Sequence, residues 1–216
     1  MNSGIVDNLR EQPTPVSART LLGQYLVFYL NDRLMSGWIV ETEAYVGIND
    51  RACHAFGDRH TKANAPLYEE AGTLYTPQMR GLTMLNIITQ PAGEPQGILI
   101  RAVEPDQGIN WMLERRPKEG PELTNGPAKF TQAFGITKQM QNQILGETNL
   151  RVDQSMARQP AVITSGPRVG IPNKGDWTTA NLRYTVAGNP YVSKQRKRDM
   201  NWTTYGWLNK ELEAEK

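Results

Sequence analysis

The side chains with the most chemistry to offer are two glutamates two positions apart, Glu41 and Glu43, in the stretch WIVETEAYVG at residues 38–47. In an extended strand alternate side chains share a face, so Glu41, Glu43 and Tyr45 point the same way. A carboxylate beside a phenol can act as a general base when its pocket holds a water within reach. The plainer alternative is that both acids face solvent on an exposed sheet. Arg101, inside the otherwise apolar run ILIRAVEP, weighs against that, because a buried arginine in a strand needs an acid partner. A Glu43–Arg101 pair flanking one water would orient and activate it, with Glu41 a bystander.

Other candidates are weaker. The chain has two histidines, His54 and His60, and one cysteine, Cys53. Their spacing matches no CxxC or HExxH pattern, so no metal is expected, and His54 in RACHAFG reads as a packing or hydrogen-bonding residue. A single cysteine excludes an internal disulfide and fits a reducing cytoplasm. No GxGxxG or Walker pattern is present, so no cofactor is expected. TNGPAKF places a glycine before a helix, where backbone N–H groups can meet a phosphate.

The elements that would position these residues alternate irregularly. A short helix is predicted from Pro15, after a Thr14 cap, to Gly23. QYLVFYL and LMSGWIVETEAY read as a hairpin turned at NDR, and NDRACHAFG as a short helix. GTLYTP, LTMLNIIT and GILIRAVEP are three further strands. QGINWMLERR and GPAKFTQAFGI have helical patterns, and AVITSGPRVGI and LRYTVAG read as returning strands. The predicted class is α+β, with a curved, mainly antiparallel sheet and helices packed at its side. One domain spans residues 1–216, with residues 1–13 and 200–216 peripheral.

A length of 216 residues leaves room for a real core. Hydrophobic residues make up 38% of the chain and charged residues 21%, which is ordinary for a globular protein. No apolar run is long enough to span a membrane, and the start MNSGIVDNLREQPTP lacks a secretory pattern. A cytoplasmic protein, associated with the nucleoid in a bacterium, is expected. Net charge is only +2, yet between Arg158 and Arg198 eight basic residues stand against one acid, Asp176. Such a stretch is either a solvated loop or a phosphate-binding face.

In order along the chain, LLGQYLV, IVETEAYVG, DRACHAFG, GTLY, LNIIT, ILIRAVEP, LTNGPAKFTQAFGI, PRVGI and LRYTVAGNPYVS resemble the alkyladenine (methylpurine, 3-methyladenine) DNA glycosylase family. The resemblance runs over about residues 18–193. It implies a glycosylase acting in base excision repair on double-stranded DNA that contains damaged purines, and because nothing matches the amine nucleophile of a bifunctional glycosylase/lyase, a monofunctional enzyme is expected. The substrates implied are 3-methyladenine, 7-methylguanine, hypoxanthine and ethenoadenine, and the protein would act as a monomer. It further implies that Glu43 activates the water, that Arg101 helps hold it, that Tyr45 and His54 flank the flipped purine, and that Asn86 crowds out ordinary guanine. After GTLY the text TPQMRGLTMLN is one residue shorter than the family pattern. Pro77 falls where a second stacking aromatic is expected, and Met79, with Leu82 as competitor, is the nearest match to the DNA wedge. From charge alone, Arg196, Lys197 and Arg198 are expected to grip phosphate. The altered turn keeps open a catalytically weak damaged-DNA-binding protein of the same fold. An RNA-binding protein ranks last, for want of the aromatics or GXXG loop of common RNA modules.

Overall fold

The computed structural model describes residues 3–208. Its spine is β2 (Arg33–Tyr45), 13 residues long and buried along nearly its whole length. β1 (Tyr25–Leu30) precedes it, and the hairpin between them turns at Asn31 and Asp32, both with positive φ (49° and 60°). Two consecutive left-handed residues match the right-handed twist of paired strands, and Asn and Asp tolerate that conformation best among non-glycine residues. β2 shares one edge between two neighbours, β1 over its first half and β10 (Arg183–Val186) over Glu41–Glu43. Its other edge pairs along its length with β7 (Gly97–Pro105).

The remaining strands extend this curled antiparallel sheet. β3 (Leu74–Tyr75) and β6 (Leu85–Ile88) continue outward from β7, β8 (Leu150–Asp153) covers the far edge of β1, and β9 (Ile163–Gly166) pairs with β10. β4 (Gln78–Met79) and β5 (Leu82–Thr83) form a separate small hairpin. The predicted strand LTMLNIIT thus divides between two sheets, and β8 was not anticipated at all.

Four helices lie among the described residues: α1 (Ser3–Glu11), α2 (Thr14–Thr20), α3 (Ile109–Arg115) and α4 (Pro127–Phe134). α1 buries Ile5 and Leu9, four residues apart on one face. α4 buries Phe130 and Phe134, whose rings meet edge to face at 5.9 Å. The chain ends, expected to be peripheral, feed the core where they are described: Ile5, Leu9 and Trp207 are all buried. Residues 1–2 and 209–216 lie outside the described residues.

Two local expectations fail for identifiable reasons. Thr14 does not cap α2: its hydroxyl bonds to Thr89 and to Gln96 Oε1, both at 2.8 Å, and tertiary contacts take precedence over the cap. NDRACHAFG forms a chain of turns instead of a helix. Asp50 Oδ1 accepts the Ala52 N–H at 2.9 Å, while Oδ2 accepts the Val46 N–H at 3.2 Å and pairs with buried Arg168. Asp50 therefore bends the segment into a turn and tethers it to β2.

Candidate active site

The acids on β2 do not face solvent. Glu41 and Glu43 are both 0% exposed, and Arg101, opposite them on β7, is 6% exposed. Register explains how two strands bring three charges together. Between β2 and β7 the pairing slips twice, between Ile39 and Glu41 and again between Glu41 and Thr42, leaving Val40 and Arg101 without a directly opposed residue. Such irregularities bend a strand and re-aim its side chains. Here they fall at the positions of the acids and the arginine.

The pairing differs from the sequence reading. Arg101 Nε donates to Glu41 Oε1 at 2.6 Å, whereas its Nη1 lies 3.3 Å from Glu43 Oε1. Arg183 Nε also donates to Glu41 Oε1, at 2.7 Å. Ser193 gives Glu41 its backbone N–H at 2.7 Å and its hydroxyl at 2.8 Å. Glu41, expected as a bystander, is thus the anchor of a buried charge cluster. Arg183, counted by sequence among a surface basic stretch, is spent on this internal pair. The signal was present: an acid on the same strand face as Glu43 could not stay solvent-exposed once Arg101 was taken as buried.

Glu43 has a different shell. Its Oε1 accepts the Val169 N–H at 2.7 Å and its Oε2 accepts the Tyr45 hydroxyl at 2.9 Å. The environments push the two carboxyls apart. Burial raises the pKa of Glu43, and Arg101 only partly offsets it. Burial also acts on Glu41, but Arg101 and Arg183 outweigh it and hold Glu41 below the usual carboxylate range. Paired titratable groups driven in opposite directions mark sites where one holds charge and the other handles a proton. Burial and the neighbouring Glu43 push the Tyr45 phenol well up, so it stays a donor.

Next to Tyr45, the donor to Glu43, lies a cavity of about 110 Å³ lined by Tyr45, His54, Tyr75, Asn86 and Pro77, with Met79, Met84, Leu99 and Ile171 completing an apolar wall. The structure therefore brings Tyr45, His54 and Asn86 together. Arg168 stacks on the Tyr45 ring at 4.6 Å and gives both Nη groups to Asp50 inside the protein, while its Nε is buried without a partner among the described residues. His54 Nδ1 is bonded to the Tyr75 hydroxyl at 2.6 Å, and Asn86 Nδ2 donates to the Tyr75 carbonyl at 3.1 Å. Burial, with Arg59 nearby, lowers the His54 pKa, which keeps the ring neutral at neutral pH. Tyr75 and Val169 were not singled out from the sequence, although GTLY and PRVGI lie within the stretches that carry the resemblance.

The cavity opens into a groove of about 710 Å³ with Arg51, Arg59, Lys138 and Lys174 on its walls. At its margin stands the β4–β5 hairpin, whose tip, Arg80 and Gly81, has φ of 53° and 79°. Met79 and Leu82 face each other across this hairpin and are 56% and 48% exposed. Arg196, Lys197 and Arg198 lie elsewhere: Arg196 and Arg198 flank Asp199 at 3.2 and 3.7 Å, and none of the three lines the base-sized cavity or the groove. Among the described residues no group of three or more His, Cys, Asp or Glu is placed to hold a metal ion. No described helix is long and apolar enough to cross a membrane.

Comparison with known proteins agrees with this geometry. The family profile described as Methylpurine-DNA glycosylase (MPG) matches residues 8–190. A protein of Lactiplantibacillus plantarum named "Putative 3-methyladenine DNA glycosylase" is 45% identical over 197 residues, 91% of this chain and 94% of that protein. Proteins of the same name from Staphylococcus saprophyticus and Staphylococcus aureus are 42% and 43% identical, over 91% and 88% of this chain and 97% and 94% of theirs. With a family profile covering most of its length and relatives this close, the chain belongs to the methylpurine-DNA glycosylase family and is a DNA glycosylase, a hydrolase of N-glycosyl bonds.

Proposed function

We propose that the protein flips an alkylated or deaminated purine out of double-stranded DNA and hydrolyses its N-glycosyl bond with a water activated by Glu43. The observation that carries this reading is Glu43 itself: fully buried, raised in pKa, bonded to Tyr45 on the wall of a base-sized cavity and 3.3 Å from a guanidinium. Water attacks C1′ of the deoxyribose, the C1′–N bond breaks, the base leaves with the bonding electrons, and Glu43 takes the proton from the water. The negative charge on Glu43 also favours the positive charge growing on the sugar. Arg101 shares Glu43 Oε1 and helps place the water. The Val169 N–H and Tyr45 hydroxyl fix the carboxylate plane.

The purine lies against Tyr45, with His54 across from it and Asn86 at its edge. N3- and N7-alkylated purines are cationic and leave readily, and an aromatic face favours a cation. 3-Methyladenine and 7-methylguanine are therefore the substrates the chemistry favours first, with hypoxanthine and ethenoadenine as neutral substrates. Met79 at the hairpin, or Leu82 opposite it, fills the gap left in the duplex, since apolar wedges relieve an unstacked step. Arg51, Arg59, Lys138 and Lys174 hold the flanking phosphates, with Lys197 and its neighbours Arg196 and Arg198 a second contact. Among the described residues no lysine lines the cavity, which supports a monofunctional enzyme that leaves an abasic site. It works as a monomer in the cytoplasm.

Pro77, a cavity wall without a π face, favours one second reading: a catalytically weak protein that binds damage. Duplexes carrying a single 7-methylguanine, hypoxanthine or ethenoadenine decide between them. The glycosylase reading expects base release by the native protein, none by Glu43→Gln, and lesion binding by both. Binding without release by either protein would establish the damage-binding reading, and strand cleavage without added base or heat would remove the monofunctional assignment.

A further inference from the structure

A second cleft, of about 830 Å³, shares no lining residue with the base-sized cavity or the groove. Arg101 forms part of its floor, and its walls carry Glu122, Lys129, Lys194, Lys197 and Trp202. Glu122 and Lys129 neutralise each other at 2.7 Å. Lys194 and Lys197 are exposed and, among the described residues, have no carboxylate partner, whereas their neighbours Arg196 and Arg198 share Asp199. The cleft therefore keeps two uncompensated positive charges.

Trp202 is 55% exposed, an unusual position for an indole, and no described residue covers it. It is also held firmly. Asn201 Oδ1 accepts the N–H groups of Thr203 and Thr204, both at 3.0 Å, and the Asn201 N–H bonds to the Gly188 carbonyl at 2.8 Å. The indole then meets Tyr205 edge to face at 6.0 Å, and Tyr205 stacks on Tyr191 at 6.4 Å. A pre-ordered aromatic surface loses little freedom when a ligand stacks on it. These residues, from Tyr191 onward, lie beyond the part of the chain that the family profile covers.

We infer that this cleft binds a short stretch of single-stranded DNA, with a nucleobase stacked on Trp202 and phosphates held by Lys194 and Lys197. A base inside a duplex has both faces covered by its neighbours, so a lone exposed indole suits an unpaired nucleotide. Paired lysine charges beside an aromatic platform are the combination that single-strand sites use. A site of this kind next to Arg101 would let the enzyme stay on DNA beside nicks, gaps or frayed ends. The inference rests on the glycosylase reading only for the kind of ligand, and its test needs no base release.

The test is binding of an undamaged, fluorescently labelled oligothymidylate by the full chain, compared with thymidine monophosphate and with blunt duplex. Trp202→Ala is expected to weaken oligothymidylate binding about tenfold, within the range of stacking losses at single-strand sites, and Trp202→Phe to recover part of it. Lys194→Gln with Lys197→Gln is expected to lower the slope of log affinity against log salt by about 1.4, two phosphate contacts at about 0.7 each for a single strand. Equal binding by the native protein and Trp202→Ala, with both folded by circular dichroism, would overturn the inference. So would thymidine monophosphate competing as well as the oligonucleotide at equal phosphate, which would make the cleft a free-nucleotide site.

Discussion

Replacing Glu41 by glutamine tests the central geometric argument, because Glu41 lines no part of the cavity yet holds Arg101, which contacts Glu43. In the folded protein its carboxylate takes Arg101 Nε at 2.6 Å, Arg183 Nε at 2.7 Å and two donors of Ser193. Glutamine keeps one acceptor oxygen but brings an NH₂ group and no charge. Arg101, 6% exposed, is left with Glu43 at 3.3 Å as its one carboxylate partner among the described residues. Removing one member of a buried ion pair costs about 3–5 kcal/mol, because the remaining charge stays out of water without compensation. Denaturant unfolding at pH 7 should show a loss of that size, against a typical total of about 5–15 kcal/mol. Glu41 has a depressed folded pKa, so its contribution is complete above the ordinary carboxylate range and fades as pH falls through the folded value. The gap between native protein and variant should therefore close below about pH 4. Catalysis supplies a second reading. Without Glu41, Arg101 is free to turn fully to Glu43, and the like charge that raised Glu43 is gone. Both changes lower the Glu43 pKa, so the acid limb of single-turnover base release moves to lower pH and the plateau rate falls. An unfolding free energy within about 1 kcal/mol of native together with an unmoved acid limb would refute the reasoning, since Arg101 would then be held by something other than Glu41.

Three further outcomes follow from the same structure. Glu43→Gln should unfold at or above the native temperature at pH 7 while releasing no base: burial raises the folded pKa of Glu43, so its ionised form opposes folding above the ordinary carboxylate range. Asp50→Asn leaves Arg168 buried without its carboxylate and should cost about 3–5 kcal/mol in denaturant unfolding, a loss that a surface pair such as Arg196–Asp199 would not show. Met79→Ala should slow base release from duplex roughly tenfold but leave release from single-stranded substrate near native, because an apolar wedge acts only where a stack must be broken; equal slowing on both substrates would mean that Met79 acts through the cavity wall it forms and not in the gap.

The sequence carried the strand that holds the acids, and it did so through period-two alternation, the most direct signal a chain contains. It also carried the need for an acid beside Arg101, because a guanidinium in an apolar strand has few other ways to be satisfied. It could not tell which acid. That choice depends on two register slips between β2 and β7, and register is a property of paired strands, not of either strand read alone. The same limit hid the partition of the basic residues. Arg168 and Arg183 look like Lys194 and Lys197 in a string, but the first two are paired inside with Asp50 and Glu41 and the last two point into a cleft. NDRACHAFG shows the other kind of failure: its local pattern suits a helix, and it forms turns because Asp50 is drawn to Arg168 from more than a hundred residues away. Local propensity is a weak preference that such a buried pair readily overrides.

Why the site keeps two buried acids follows from what one acid alone would do. A lone Glu43 facing Arg101 at hydrogen-bond distance would be held as a stable carboxylate, well placed but reluctant to accept a proton. A lone Glu43 without Arg101 would be neutral from burial and unable to act as a base. Glu41 resolves the conflict by taking the closer, shorter bond to Arg101, so that the guanidinium reaches Glu43 from 3.3 Å as a secondary contact. The guanidinium still favours ionised Glu43, while burial keeps the proton affinity above that of an ordinary carboxylate. Arg183 then balances the charge that Glu41 adds, and Ser193 closes the cluster from the segment that also forms one wall of the second cleft.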